Sequence, residues 1–594
     1  MFQSFEATTS PEQGPPRLAA MREAMAKPKL DAFVVPRADA HQGEYVAPCD
    51  ERLAWLTGFT GSAGFAAVTC EHAGVFVDGR YTLQVRNQVA DAFTPVDWPA
   101  TKLGPWLNEH SPENAKIGFD PWLHTADEIK QVTKSLSDGR TMVATENLID
   151  AIWDDRPPRP AEPVLSLDLE LAGESSNDKR ERIAEKIKSA GQSAAVITLP
   201  DSICWLLNIR GSDIPRNPIV HAFAILFDTG RVSLFSDIEK FAHLGPDPNI
   251  DQFQWDAFEG ELAKLEGVVR VDPKSAPVAV SDILKSNGID IAFDEDPCIL
   301  PKARKNATEI ASTRKAHMRD AAAMVEFLTW FDRQAAKGGE TEISAAKALE
   351  GYRRATNALM DIAFDTISGS GPNGAIVHYR VTEGTNRAIK PGELYLVDSG
   401  GQYVDGTTDI TRTIAVGEPG AQQKQDFTRV LQGMIAISRV RFPRGLAGRD
   451  LDALARAPLW TAGQDYDHGT GHGVGVFLCV HEGPQRLSRI SEVPLEPGMI
   501  LSNEPGYYRE GEYGIRIENL IVVQEAPKAG DNRDQLNFET LTWVPIDRRL
   551  VDVDLLSSGE REWLNSYHAE VYARLNNAVS DDAKDWLKAA TSPI

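Results

Sequence analysis

Four histidines and four carboxylates between residues 378 and 518 have types and spacing that suit metal chemistry. The clearest local pattern is His468-Gly-Thr-Gly-His-Gly-Val-Gly475, whose alternating glycines disfavour a helix. In an extended segment His468 and His472 share one side, and the small glycines let the backbone pass close to another group. A Gly-rich loop with incidental histidines is the alternative. The pattern favours a site for a metal ion or a polar substrate.

Two aspartates lie on what the sequence predicts to be neighbouring strands of one hairpin. Asp398 ends the apolar strand that starts at Leu394, a turn is predicted at Gly400-Gly401, and Asp409 lies on the next strand. A buried ionised carboxylate is costly unless it is paired or bound to a metal. The two aspartates can therefore be directed at one point, although a pair of turn or cap aspartates would give the same pattern.

Two glutamates follow in a similar setting. Glu504 comes directly after the apolar pair Ile500-Leu501, and Glu518 lies in Gly514-Ile-Arg-Ile-Glu-Asn519. The period of two in a strand puts Arg516 and Glu518 on one face and the isoleucines on the other. That polar face either borders a polar or metal-filled site, or it is half-exposed and carries an ion pair.

These residues form an oxygen-rich set with one nitrogen, which suits Mn²⁺, Co²⁺, Fe²⁺ or Zn²⁺ better than a thiolate site would. The set consists of Asp398, Asp409, His472, Glu504 and Glu518. Five ligands, several of them able to bridge, suit two metals about 3.5–4 Å apart, which together can activate a water and polarise a carbonyl. The sequence therefore predicts metal-assisted hydrolysis.

The elements that must hold these residues follow from the periodicity. Asn306, with Glu309 three residues later, has the pattern of a helix N-cap and starts an apolar helical stripe that runs to about Ala336. From about Ile362 the pattern changes to short strands with Gly-rich turns. Further helices are predicted at about 343–357, 421–440, 450–460 and 558–589.

The first half of the chain contains an internal repeat, which predicts two related α/β domains in tandem. The first copy reads Asp31-Ala-Phe-Val-Val-Pro36, Trp55-Leu56, Gly61-Ser62, and the second reads Ala195-Val-Ile-Thr-Leu-Pro200, Trp205-Leu206, Gly211-Ser212. A proline cluster at 156–160 and Pro301 mark the boundaries. The predicted domains are 1–158, 159–303 and 304–594, the last with a tail from about 525 to 594.

Composition excludes several classes of protein. The chain has 594 residues with 42% hydrophobic and 25% charged, which argues against a disordered or fibrous protein. Its net charge of 62 − 86 = −24 argues against nucleic acid or an anionic membrane as a partner. Five widely spaced cysteines, and a polar start without a secretory signal, predict a cytoplasmic protein.

The order and strand context of the five candidate ligands resemble the pita-bread metallopeptidases, which include methionine aminopeptidase, prolidase and aminopeptidase P. His468-Gly-Thr-Gly-His-Gly-Val-Gly475 with Val480-His-Glu-Gly-Pro484 looks like aminopeptidase P. The resemblance covers essentially the whole chain. Two creatinase-like domains, a pita-bread domain and a tail with Leu541-Thr-Trp-Val-Pro545 look like the long, three-domain cytosolic form.

The resemblance implies a role for each ligand. Asp398 would bind one metal, His472 and Glu504 would bind the other, and Asp409 and Glu518 would bridge both. A hydroxide shared by the metals would attack the peptide carbonyl, with Glu504 also acting as general base.

The resemblance also implies residues that contact the substrate. His378 and His481 match histidines near the scissile carbonyl and the proline, and His468 matches one that assists binding or proton movement. Arg516 matches an arginine behind the ligands that also serves substrate binding, with Tyr508 as its partner.

The implied reaction is release of the N-terminal residue from peptides whose second residue is proline. Two divalent metals are implied, Mn²⁺ first, with Zn²⁺ or Co²⁺ as alternatives, and a homodimer with Trp460 at the contact. Prolidase, which accepts only dipeptides, is the nearest alternative function. Creatinase, which lacks metals, and a non-catalytic interaction protein are disfavoured because all five ligands are intact.

Overall fold

A computed structural model describes residues 1–335 and 337–594. The predicted helix end at Ala336 lies outside these described residues. The chain forms two compact units. The N-terminal unit comprises Thr8–Leu169 and Glu174–Lys302, and the C-terminal unit comprises Met1–Ala7, Glu170–Gly173 and Ala303–Ile594.

The N-terminal unit contains two six-stranded mixed sheets with the same strand order and the same parallel and antiparallel neighbours. The first sheet, in spatial order, is Thr94–Asp97, Ala73–Val77, Phe65–Thr69, Ala32–Pro36, Lys116–Phe119 and Thr141–Ala144. The second is Ile250–Phe253, Val232–Phe235, Phe223–Phe227, Ala194–Ile197, Val268–Val271 and Asp290–Phe293. This equivalence confirms the repeat that the sequence predicts.

Helices flank both sheets, and a two-stranded pair joins Leu165–Ser166 to Ile209–Arg210. The helices are Gly14–Ala26, Arg52–Thr57, Thr82–Gln88, Leu103–His110, Ala126–Ser135, Ser176–Ser189, Pro200–Leu207, Phe258–Leu262, Val278–Ser286 and Ile299–Ala303. The short helix Leu169–Ala172 belongs, from Glu170 onwards, to the C-terminal unit. The strands Ala32–Pro36 and Ala194–Ile197 are buried along their whole length. Continuous apolar strands of this kind are expected where both faces of a sheet are covered.

The C-terminal unit packs helices against antiparallel sheets. Its helices are Ala307–Ala335, Glu342–Arg354, Ala421–Arg439, Gly448–Trp460, Ser558–Leu575 and Asp581–Ala590. One sheet comprises Ile367–Ser370, Leu394–Ser399 and Ile410–Ala415. A six-stranded sheet comprises Phe442–Pro443, Gln535–Thr540, Asn519–Glu525, Ile500–Asn503, Gly471–Gly473 and Glu482–Leu487.

Smaller strand groups complete this unit and carry some of the candidate residues. They are Asp361–Ile362 with Gly401–Tyr403 and Gly406–Thr407, and the hairpin Gly506–Arg509 with Tyr513–Arg516. One buried core contains residues of the helix Ala307–Ala335 together with apolar side chains of the strand regions, namely Leu394, Val397, Ile410, Ile515 and Ile517. The mixed α/β class with two repeated domains before a separate C-terminal fold is as predicted.

Two predicted details differ from the structure. The hairpin turn falls at Val404-Asp405 rather than at Gly400-Gly401. The segment Gly514-Ile-Arg-Ile-Glu-Asn519, treated as one strand in the prediction, belongs to the two strands Tyr513–Arg516 and Asn519–Glu525, with Ile517 and Glu518 between them. These breaks arise because the chain must change sheets there, which a period-two pattern does not reveal.

The described residues include no helix that is both long enough and apolar enough to cross a bilayer.

Candidate metal centre

The four carboxylates come from four different strand ends of the C-terminal unit. Asp398 lies near the end of Leu394–Ser399 and pairs in register with Thr411 on the adjacent strand. Asp409 directly precedes that adjacent strand, Ile410–Ala415. Glu504 directly follows Ile500–Asn503, and Glu518 occupies the break before Asn519–Glu525. Ile410 and Ile517, which are sequence neighbours of Asp409 and Glu518, lie in the core, so the period of two directs these two carboxylates to the opposite side.

His472 lies at the centre of this arrangement. Its Nε2 is 3.4 Å from an oxygen of Asp409 and 3.4 Å from an oxygen of Glu504. Its Nδ1 is 2.9 Å from the carbonyl oxygen of Gly473, so a proton on Nδ1 is donated there and Nε2 is left for a ligand. Asp409, His472 and Glu518 each offer an atom within 4.8 Å of the others.

The glycines beside His472 are required by neighbouring backbone rather than by a substrate. A Cβ at Gly471 would lie 1.9 Å from the carbonyl oxygen of Ser502, and one at Gly473 would lie 2.4 Å from that of Glu482. The pairing register shifts between His472 and Gly473. The simple alternation expected for this segment therefore stops at His472.

The cluster fits a group of divalent cations. Three of its carboxylate oxygens are buried without a hydrogen-bond partner in the described structure, one each from Asp398, Asp409 and Glu518. Buried polar atoms are normally paired, and an unpaired one costs free energy. Oxygen donors with one imidazole nitrogen are the donor set that Mn²⁺, Co²⁺ or Zn²⁺ accept. The orphaned oxygens therefore point to metal ions as their partners.

The pKa shifts of the carboxylates in the metal-free cluster also favour bound cations. Burial raises the pKa of Asp398 to about 6 against the opposing charge of Arg516, and the charges of Asp409 and Glu504 add to the rise. Burial, with its charged neighbours, also raises the pKa of Glu504 and of Glu518. So many carboxylates in one buried space need protons or cations to neutralise them.

His472 shows the opposite balance. Burial acts to lower its pKa, but the hydrogen bond to Asp409 and the charge of Glu504 outweigh burial and raise it to about 9. Without metal, the imidazole thus carries the proton that balances its acidic neighbours. A metal ion at Nε2 would have to displace that proton.

Arg516 forms a buried ion pair with one of the candidate ligands, Asp398. Its guanidinium donates to Asp398 at 2.6 Å and to the hydroxyl of Tyr508 at 2.6 Å, and its side chain is 2% exposed. His468 contacts the same hydroxyl through Nε2 at 2.9 Å. The resulting chain His468–Tyr508–Arg516–Asp398 includes the partner predicted for Arg516. These contacts favour a positioning role for Arg516 over direct contact with substrate.

His481 and His378 lie on different parts of the same unit. The ring of His481 packs edge-on against that of His472, with centroids 4.4 Å apart. His378 is half-buried and follows the short helical turn Gly371–Ala375. Close approach between Gly374 and Gly514 holds that turn against the strand that carries Arg516, since a Cβ at Gly514 would lie 1.7 Å from the Gly374 carbonyl oxygen.

The buried carboxylate of Glu342 fixes the segment around His378. It accepts hydrogen bonds from the backbone N–H groups of Ser370 and Arg387, from the side-chain amide of Asn373 and from the hydroxyl of Tyr379. Nothing in the sequence around Glu342 indicates this role. Its position at the start of a helix looks like an ordinary N-terminal acidic residue.

The hydroxyl groups of Thr411 and Ser502 hydrogen-bond to two of the candidate ligand carboxylates. Neither residue was predicted to belong to the site. Thr411 donates to Glu518 at 2.8 Å. Ser502 donates to Glu504 at 2.9 Å and accepts from the backbone N–H of His472 at 2.9 Å. Both lie two residues from a predicted ligand on the same strand side, so the period-two rule could have identified them.

Comparisons with protein families match the whole architecture. The model of metallopeptidase family M24 matches residues 311–525, and that of the C-terminal region of peptidase M24 matches 534–594. The creatinase/prolidase N-terminal domain matches twice, at 17–152 and at 155–309. Fold and site together thus define a metallopeptidase of the M24 class.

Full-length relatives refine that class. A probable Xaa-Pro aminopeptidase P of Laccaria bicolor is 39% identical over 97% of this chain and 93% of its own. Aminopeptidase P1 of Arabidopsis thaliana is 37% identical over 97% of this chain and 99% of its own. The crystal structure of a cytosolic X-prolyl aminopeptidase from Caenorhabditis elegans, described with a di-nuclear active site, is 34% identical. It superimposes with a TM-score of 0.92 over 98% of this chain and 99% of that one. The chain belongs to the aminopeptidase P group of the M24 metallopeptidases.

Proposed function

We propose that this protein is a metal-dependent aminopeptidase that releases the N-terminal residue from peptides with proline in second position. The observation that carries the proposal is the clustering of carboxylates around Nε2 of His472, with three buried carboxylate oxygens that have no hydrogen-bond partner in the described structure. It occurs in a chain that resembles Xaa-Pro aminopeptidases from end to end. Prolidase remains the alternative to be tested, because it shares the family.

In this proposal Asp398 holds one metal, His472 and Glu504 hold the other, and Asp409 and Glu518 hold both. The bound ions would supply an activated water and polarise the peptide carbonyl. Glu504 would carry the proton, since its raised pKa suits a carboxylate that accepts and returns one. Ser502 keeps that carboxylate in one orientation.

His378, His468 and His481 are proposed to contact the substrate. The edge-on contact between the rings of His481 and His472 supports a position for His481 beside the metals. The contact of His468 with Tyr508 links it to Arg516 and so to Asp398. A proline ring has no N–H to recognise, so its selection must rest on shape.

We further propose that the two metals are Mn²⁺, since oxygen-rich sites suit that ion. Their binding is expected to strengthen as pH rises. The pKa of His472 is raised to about 9, so below that pH each bound metal at Nε2 must displace a proton. The Mn²⁺ affinity of metal-free protein should increase at least about tenfold between pH 6 and pH 7.

Isothermal titration of Mn²⁺ in two buffers of different ionisation enthalpy measures this dependence, because it counts the protons released. A pH-independent affinity with no proton release would contradict the assignment of His472.

We propose a homodimer with Trp460 at the contact. Trp460 is 43% exposed and Ile490 is 81% exposed, which are high values for large apolar side chains. Trp460→Glu is expected to halve the mass measured by light scattering, because a charge would enter an apolar contact. Phe293→Glu, at a side chain 50% exposed elsewhere, is the matched control and should leave the mass unchanged. An unchanged mass for Trp460→Glu would remove this assignment.

We also propose that the protein acts in the cytosol, as its C. elegans relative is described to do. Its proposed partners are proline-containing peptides and a second copy of itself. The proposed domain limits remain 1–158, 159–303 and 304–594, which lie close to the ends of the family matches.

Comparing a tripeptide with a dipeptide tests the proposed activity. Metal-loaded protein is incubated with Arg-Pro-Pro and with Gly-Pro, and released arginine or glycine is measured. We expect cleavage of the tripeptide and little action on the dipeptide. Cleavage confined to Gly-Pro would transfer the assignment to prolidase.

A further inference from the structure

The N-terminal unit contains a cavity of about 640 Å³, and none of its lining residues belongs to the metal centre. Both repeats contribute to its wall. A volume of this size is typical of sites for small molecules. Its lining combines aromatic rings, two histidines and several charged groups.

Aromatic rings form one wall of the cavity. The rings of Phe223 and Phe258 stack at 4.5 Å, Trp255 meets Phe223 edge-on at 5.5 Å, and Trp122 lies 6.1 Å from Phe223. Phe223 and Phe258 are buried, whereas Trp122 and Trp255 are only half-buried. The two indoles therefore keep part of their ring surface exposed at the cavity.

The buried ring of His41 adds a hydrogen-bond acceptor. It stacks on His221 at 4.5 Å, and its Nδ1 is 3.0 Å from the carbonyl oxygen of Thr198. Burial, and then the nearby His221, lower the pKa of His41 to about 4, so the ring is neutral. With its single proton on Nδ1, its Nε2 can only accept.

Four of the charged residues in the cavity wall form ion pairs with one another. Arg52 and Arg156 are both engaged by Asp150 at 2.6 Å and also contact Asp50. These four residues neutralise one another.

Three carboxylates and one arginine remain in the wall. Asp120 accepts hydrogen bonds from Asn147 and from the backbone of Trp122. Asp256 and Glu259 are exposed at the cavity and have no ion-pair partner among residues 1–335 and 337–594. The remaining cation, Arg159, lies 5.0 Å above the ring of Trp255. The surplus of carboxylates favours a positively charged ligand.

Arg159 also indicates the shape of that ligand. Its flat guanidinium rests on an indole face, which is the preferred surface for a planar cation. It is exposed and has no carboxylate partner in the described chain, so little holds it there. A ligand with similar chemistry could take its place.

We propose that this cavity binds a flat organic cation of the amidinium or guanidinium class, seated on Trp255 in place of Arg159. Its N–H groups would donate to Asp256 and to Nε2 of His41. Its planar body would lie against Trp122 and Trp255. This site is separate from the metal centre and does not depend on the proposed peptidase activity.

Three probes of equal shape and different charge test the proposal by isothermal titration with the full chain. They are benzamidine, benzamide and benzoate, which carry charges of about +1, 0 and −1 at pH 7.5 from their ordinary acid–base behaviour. Benzamidine is expected to bind at least about tenfold more tightly than benzamide, a difference of about 1.4 kcal/mol. Benzoate is expected to bind most weakly. Equal binding of all three, or none, would overturn the proposal, and tightest binding of benzoate would show an anion site at Arg159.

Variants locate the bound probe. Arg159→Ala removes the internal competitor at an exposed position and is expected to tighten benzamidine binding severalfold. Asp256→Asn, also at an exposed position, is expected to weaken it about threefold or more. Glu504→Gln in the metal centre should leave it unchanged. Loss of binding in Glu504→Gln, with no effect of Arg159→Ala or Asp256→Asn, would place benzamidine in the metal centre and overturn the proposal.

The guanidinium could belong to a free small molecule or to an arginine side chain of a peptide. N-acetylarginine amide, which has no free amine for an aminopeptidase, represents the peptide source, and N-acetylcitrulline amide is its uncharged counterpart. Tighter binding of the arginine compound than of benzamidine would identify a peptide side chain as the ligand. Tighter binding of benzamidine would identify a free aromatic cation.

Discussion

Glu504→Gln is expected to lower kcat for Arg-Pro-Pro by about 10³-fold while the protein stays folded. The substitution keeps the size of the side chain but removes its negative charge and its ability to take a proton. Loss of a general base alone costs about 10²–10⁴ in rate. Glu504 also lies 3.4 Å from Nε2 of His472, where the amide would weaken metal binding.

Steady-state assays at saturating Mn²⁺ measure this effect, with circular dichroism as the check on folding. Glu512→Gln is the matched control, because Glu512 is 54% exposed and pairs with Arg509 on the surface. The control should retain kcat within about twofold. If Glu504→Gln kept more than a tenth of the kcat, Glu504 would not be the proton carrier.

The second large effect concerns the stability of the metal-free protein. Arg516→Met is expected to lower the free energy of unfolding of the C-terminal unit by about 3 kcal/mol, the usual cost of leaving one partner of a buried ion pair unpaired. The Arg516 side chain is 2% exposed, and it is bound to Asp398 at 2.6 Å. It also faces Glu504, whose charge adds to that of Asp398.

Urea unfolding at pH 8, where Asp398 with its pKa of about 6 is ionised, gives the largest difference. Arg509→Met is the control, since that arginine is 41% exposed and its pair with Glu512 contributes little. Below pH 6, Asp398 takes up a proton and the effect should shrink. Equal unfolding midpoints for Arg516→Met and Arg509→Met would contradict this account of the ion pair.

The candidate ligands could be predicted from the sequence because their residue types are unusual for their positions. Burial of a carboxylate next to an apolar strand segment, as at Asp398 or Glu504, costs free energy unless a cation or a hydrogen-bond donor binds it. Periodicity also predicted one polar face for Arg516 and Glu518, and both residues are buried in the structure. The repeat in the first half predicted two equivalent sheets for a similar reason, since identical patterns bury the same strands.

What could not be predicted depends on contacts between distant segments. Gly471 and Gly473 are small because the backbones of Ser502 and Glu482 approach them, and nothing near the glycines in sequence reports this. The partner network of Glu342 spans residues 370 to 387. The aromatic cavity unites residues from both repeats. Local patterns report the face of a residue but not the identity of its neighbours.

The most direct test of the two-metal peptidase is a titration of metal-free protein with Mn²⁺, in which bound metal per chain and arginine released from Arg-Pro-Pro are measured together. We expect release to be negligible without metal and to reach its plateau when two ions are bound per chain. Full release without metal, or two bound ions with no release, would contradict the account.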